Sequence, residues 1–116
     1  MNPKSMDESF KKNDDKMKSL VSAMNQKLLN VFPSKKAVDK LHEKGKLSAR
    51  ERINLLLDKD SQTIEIGAFV GDGMYAEHGG CPAGGVVVVL GKVSGKQCVV
   101  VANDQTVKAG AWFPIT

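Results

Sequence analysis

The chain has 116 residues, of which 41% are hydrophobic and 26% charged, the composition of one small soluble domain. No apolar run approaches the roughly 18 residues of a membrane helix, and the opening MNPKSMDESFKKNDDK has no apolar core after its charges, so neither a membrane span nor a secretory signal is expected. Two cysteines, Cys81 and Cys98, are too few for a disulfide framework, which points to free thiols and to the cytoplasm.

The net charge of +4 is unevenly placed: residues 1–60 hold 14 Lys/Arg against 9 Asp/Glu, residues 61–116 hold 3 against 4. A basic half can meet a polyanion. Here its lysines alternate with acids and its only aromatics are Phe10 and Phe32, so a stacking platform for nucleic acid is missing. A solvated helical face accounts for the pattern.

In chain order, residues 1–8 read as frayed. From Ser9 to Val31 the apolar positions Phe10, Met17, Leu20, Val21, Met24, Leu28 and Val31 recur at three and four, one stripe of a helix that Pro33 should close. Ser34 can cap a second short helix with Val38 and Leu41 inward and Gly45 as its stop. Ser48-Ala-Arg-Glu51 is a capping box opening a third helix through Ile53, Leu55, Leu56 and Leu57, ended by the polar cluster 58–61. A strand over Thr63–Ile66, which could run on to Val70, precedes the loop GDGMYAEHGGCPAGG with its six glycines. Two apolar runs, VVVVLGKV and QCVVVAND, follow as a hairpin through Ser94-Gly95-Lys96.

Strands apolar on both faces need cover on both. No later stretch of the chain is long enough to provide it, so the sequence reads as the opening portion of a larger α/β enzyme. We divide it into a helical segment, 1–44, and the start of a second domain, 45–116.

The candidate chemistry is sparse. His78 and Cys81 lie three apart, but His42 and Cys98 have no motif spacing to them, so no zinc site is expected. The glycines of the loop lack a Gly-Lys-Ser/Thr ending and a following helix, so they form no P-loop or dinucleotide motif; a structural loop and a ligand-contacting loop both fit. Lys46, Arg50 and Arg52 gather around the capped start of the third helix, a seat for phosphates. Equally, the two arginines could pair with Glu51, Asp58 or a neighbouring subunit. Asn103-Asp104 lies where ligand-facing residues often sit in open sheets, or forms an Asx-turn. Lys108 stands near Gly110, where backbone can approach a ligand.

Three segments, in order, resemble one family. GKLSARERINLLLD (Gly45–Asp58), GMYAEHGGCPAGGVVVVLGKVSGK (Gly73–Lys96) and VVVANDQTVKAGAWFPIT (Val99–Thr116) are similar to the carboxyltransferase subunits of biotin-dependent acyl-CoA carboxylases. The Asn-Asp-x-Thr-Val-Lys form is most like the methylcrotonyl-CoA carboxylase β branch. Ala109–Trp112 also resembles the α subunit of glutaconyl-CoA decarboxylase, the runner-up. The resemblance implies a crotonase-like ββα superhelix, of which this would be the N-terminal portion and an incomplete domain. It implies an acyl-CoA substrate and carboxybiotin on a carrier domain loaded by a biotin carboxylase, with homo-oligomers of the carboxyltransferase subunit as partners. It implies an enolate held by backbone oxyanion holes, whose donors have no counterpart here and would lie past Thr116, leaving these residues inactive alone. On the CoA side it leaves Lys46, Arg50, Arg52 and Lys108 as phosphate or adenine contacts. Two readings of another class remain: a helical oligomerisation module on the 9–31 stripe, and a small CoA-binding module.

Overall fold

A computed structural model describes the backbone of residues 3–116 and the side chains of residues 7–116. The chain forms two compact units, Met1–Asn30 and Val31–Thr116.

The first unit is one helix, α1 (Pro3–Leu29). The frayed start expected for residues 1–8 is corrected from residue 3 onward: proline's fixed φ and missing N–H suit a first helical turn. Residues 1–2 lie outside the described residues. The helix also stops short of Val31, at Leu29, with Asn30 N–H donating to Lys27 O in a closing turn. Its stripe is open within this unit, with Phe10, Met17, Leu20, Val21 and Met24 all exposed.

In the second unit the local signals resolve as their chemistry dictates. Ser34 caps α2 (Lys35–His42), its hydroxyl accepting from Ala37 N–H at 3.3 Å. Ser48 caps α3 (Ala49–Leu56) with both arms of the box present: Glu51 N–H donates to Ser48 Oγ, and Ser48 N–H donates to Glu51 Oε2 at 2.7 Å.

Three antiparallel strands follow, β1 (Ile64–Ile66), β2 (Val86–Val93) and β3 (Lys96–Asn103), in spatial order β1-β2-β3. The β2–β3 turn is two residues, Ser94 and Gly95, both at positive φ (50° and 78°), which matches the twist of the strands it joins. Asp58 straddles that turn: its two carboxylate oxygens accept from Ser94 N–H and Gly95 N–H, each at 2.7 Å. β1 ends at Ile66 and does not reach Val70, because Gly67 turns the backbone at φ 74° and Val70 N–H bonds back to Gly67 O.

α3 lies on one face of this sheet. Ala49 and Ile53 bury against Val87 and Val89, with Leu57, Val100 and Ala102 around them. Gly91 makes room at the edge of the contact, since a Cβ there would stand 2.8 Å from Leu57 Cδ2. On the opposite face Ile64, Ile66, Val99 and Val101 are exposed. The cover expected for both faces of these strands is therefore provided on one side only among the described residues.

The glycine segment is an irregular loop with short 3-10 turns at Ala76–His78 and Pro82–Gly85. Gly71 is required within it: it sits at φ 79°, and a Cβ would stand 2.4 Å from Cys81 O. The loop shares a second small core with the C-terminal segment, built from Cys81, Val107, Phe113 and the half-buried Tyr75, whose ring is 4.5 Å from that of Phe113.

Candidate functional site

A groove of about 300 Å³ opens where three distant segments meet. Val31–Ser34 and Ala37 form one wall, His78–Gly80 and Pro82 a second, and Asp104 with Thr106–Lys108 the third. The first wall is placed by the Ser34 cap. The glycine loop and the C-terminal segment that carry the second and third are tied together by two hydrogen bonds: Asp104 N–H donates to Gly85 O at 3.0 Å, and the Thr116 hydroxyl donates to Gly84 O at 2.6 Å.

Asp104 is buried and forms the Asx-turn, its Oδ1 accepting from Thr106 N–H (2.8 Å) and Thr106 Oγ1 (2.6 Å). Its neighbour Asn103 takes a hydrogen bond from the indole N–H of Trp112 at 3.4 Å. Lys108 carries the cation of the groove. Its ammonium lies 4.5 Å over the Phe113 ring and 3.5 Å from Trp112 O, both neutral groups. Lys108 and Ala109 both hold left-handed backbone (φ 47° and 54°), as do Tyr75 and Ala83 in the facing loop. Each costs about 1 kcal/mol for a residue with a Cβ. Four such residues in the two loops beside one groove mark a shape held against local preference.

Cys81 lies behind this wall, 2% exposed. Burial pushes its thiol up, partly offset by the Lys108 charge, so it stays protonated at neutral pH and is no nucleophile. No group of three metal-ligating side chains occurs among the described residues, and His78 has Glu77 beside it at 3.8 Å.

The four basic candidates separate. Lys46 and Arg52 are exposed and lie outside the lining of the groove. Arg50 is held inside the fold: its Nη1 and Nη2 donate to Glu65 Oε2 and Oε1 at 2.7 and 2.8 Å, and its Cζ sits 4.1 Å over the Phe32 ring. The ion-pair partners offered from sequence, Glu51 and Asp58, are both engaged elsewhere. Asp58 caps the hairpin turn, and Glu51 takes the Ser48 N–H and, through both oxygens, His42 Nε2 at 2.9 and 3.0 Å. The Ser48 backbone bond, helped by His42, holds the Glu51 carboxyl down at about 2, so it is ionised and His42 Nε2 must be the donor. Sequence reasoning missed Glu65, Phe32 and Thr106. Only the last carried a local signal, the Asp-x-Thr spacing of an Asx-turn.

The site can bind an elongated ligand with an anionic end: the Lys108 ammonium and the Ser34 hydroxyl can donate to it and apolar walls take the rest, while Thr106 Oγ1 is spent on Asp104 and the Gly79 and Gly80 N–H groups on Ala76 O and Tyr75 O. It presents no activated nucleophile or paired carboxylates.

The chain is similar to proteins of one family. The family model described as carboxyl transferase domain matches residues 40–116. A probable mitochondrial methylcrotonoyl-CoA carboxylase beta chain of Drosophila melanogaster is 44% identical over 109 residues, 92% of this chain and 19% of the relative. The biotin-dependent 3-methylcrotonyl-coenzyme A carboxylase beta1 subunit of Mycobacterium tuberculosis is 39% identical over 104 residues, 88% of this chain and 19% of its own. Among solved structures, the beta subunit of P. aeruginosa geranyl-CoA carboxylase superposes with a TM-score of 0.71 at 29% identity, covering 89% of this chain and 19% of that one. The transcarboxylase 12S core gives 0.67 at 32%, covering 82% and 19%. The chain thus spans about a fifth (19%) of the length of the relatives it matches. The crotonase-like class expected from the resemblance holds, as the helix-and-hairpin part of carboxyltransferase beta subunits.

Proposed function

The chain belongs to the carboxyl transferase domain family, and on that premise we propose that the full-length protein is the beta, carboxyltransferase subunit of a biotin-dependent acyl-CoA carboxylase of the methylcrotonoyl-CoA type. The observation that carries this is the 44% identity to a methylcrotonoyl-CoA carboxylase beta chain across 92% of the chain. Carboxybiotin, brought on a carrier subunit and loaded by a biotin carboxylase, supplies the activated carboxyl group when bound. Copies of the subunit assemble as a homo-oligomer.

In this reading residues 45–116 work on the CoA side and do no bond chemistry. Lys108 offers its ammonium to a phosphate at the groove mouth, Ser34 offers its hydroxyl, and the apolar wall takes the uncharged part of the ligand. Lys46 and Arg52, exposed near the start of α3, add positive potential that draws in the polyanion. Arg50 belongs to the same basic group by charge, though its geometry ties it to Glu65. Two free cysteines fit a reducing compartment, which we take to be the cytoplasm; fractionation of the native source tests this, and recovery in mitochondria overturns it. No described helix is long and apolar enough to cross a membrane.

The direct test supplies the full-length protein with a carboxybiotin-bearing carrier and a set of acyl-CoAs. Carboxyl transfer to 3-methylcrotonyl-CoA in preference to propionyl-CoA is the expected result. Transfer to none of them, or preference for propionyl-CoA, overturns the assignment.

A further inference from the structure

Phe32 belongs to two places at once. Its ring carries the Arg50 guanidinium at 4.1 Å, and the residue also lines the groove that holds Lys108. We propose that Arg50 is a positioning residue for that groove, acting through Phe32 and not by touching ligand. The inference rests on the groove being the CoA seat.

The geometry argues against direct contact. Both terminal nitrogens of Arg50 face the Glu65 carboxylate in a bidentate fork, at 2.7 and 2.8 Å, with side chains only 16% and 23% exposed. Nε is buried and has no hydrogen-bond partner among the described residues. To reach a phosphate, the guanidinium would have to leave Glu65 half-buried and uncompensated and slide off the Phe32 ring. Staying in place, it joins three segments that are distant in sequence: residue 32 before α2, residue 50 in the first turn of α3, and residue 65 in β1. A planar cation pinned by a carboxylate is fixed in place, and its Cζ lies over the Phe32 ring. Lysine would keep the charge and lose both the fork and the plane. α3 itself does not depend on Arg50, since the Ser48–Glu51 box and Ile53 hold it.

The experiment uses the full-length protein and four variants: Arg50→Lys, Phe32→Leu, the double variant, and Lys108→Ala as the reference for the groove. CoA affinity is measured by calorimetry at low and high salt, with kcat and KM for the acyl-CoA alongside. Arg50→Lys and Phe32→Leu should each weaken CoA about three- to tenfold, and the double variant no more than the worse single, because both break one coupled element. kcat should stay within about twofold and the salt slope should be unchanged, whereas Lys108→Ala should weaken CoA and flatten that slope. If Arg50→Lys instead flattens the salt slope while Phe32→Leu binds as the parent does, Arg50 touches ligand and the inference is overturned. Parent affinity in both Arg50→Lys and Phe32→Leu, with Lys108→Ala weakened, overturns the positioning role and leaves the groove reading standing. Parent affinity in Lys108→Ala overturns the groove reading and this inference with it. Should Arg50→Lys fail to fold, Glu65→Gln, which loosens the same fork from outside the groove, takes its place: weakened binding supports the role and full affinity overturns it.

Discussion

The two faces of the three-stranded sheet are made of the same residues and meet opposite fates. Val87 and Val89 are 1% and 7% exposed beneath α3, while Val99 and Val101, one strand away and in the other register, are 60% and 62% exposed. Valine is apolar in both places. What differs is a partner: Ala49 and Ile53 arrive on one side because a capping box starts a helix there, and the described residues offer the other side nothing comparable. Strand pattern therefore reports which faces can be buried, and the packed helix decides which one is.

Substitutions on the two faces put that difference to the test. The largest effect belongs under the helix: Val87→Ala should cost about 2 kcal/mol in denaturant unfolding of this chain, from lost burial plus an unfilled void. Removing the helix's start comes next, with Ser48→Ala expected to cost about 1 kcal/mol and to lower α3 helicity. Acid should act on the same element more weakly. The Glu51 carboxyl is depressed from 4.5 to about 2, so its contribution is complete above the unfolded value and fades as pH falls from 4.5 through 2. Glu51→Gln should flatten that part of the pH–stability profile, and an unchanged profile would contradict the cap. The smallest change belongs on the open face, where Val101→Thr should leave the stability of this chain within about 0.5 kcal/mol. A cost as large as that of Val87→Ala would mean that the two faces are equivalent after all.

The same contrast separates what was legible in the sequence. Elements fixed by neighbours three or four residues apart could be read: the Ser34 cap, the Ser48–Glu51 box, the Ser94-Gly95 turn and the Asp104 Asx-turn each declare themselves by local hydrogen-bonding chemistry. Arg50–Glu65 could not, because the pair spans 15 residues and exists only once β1 lies alongside β2 in its observed register. Nor could the groove, whose walls come from residues near 32, 79 and 106. Basic charge near a helix start looked like one anion seat. The fold gives Arg50 to Glu65, leaves Lys46 and Arg52 exposed, and puts Lys108 in the groove.

Hydrogen exchange on the full-length protein, with and without acyl-CoA, tests the groove most directly. Added acyl-CoA should slow exchange in residues 78–81 and 104–110 while the amides of Val87 and Val89, already protected beneath α3, stay as they were. Protection appearing elsewhere in the protein, with no change in those two loops, would place the CoA seat outside this groove.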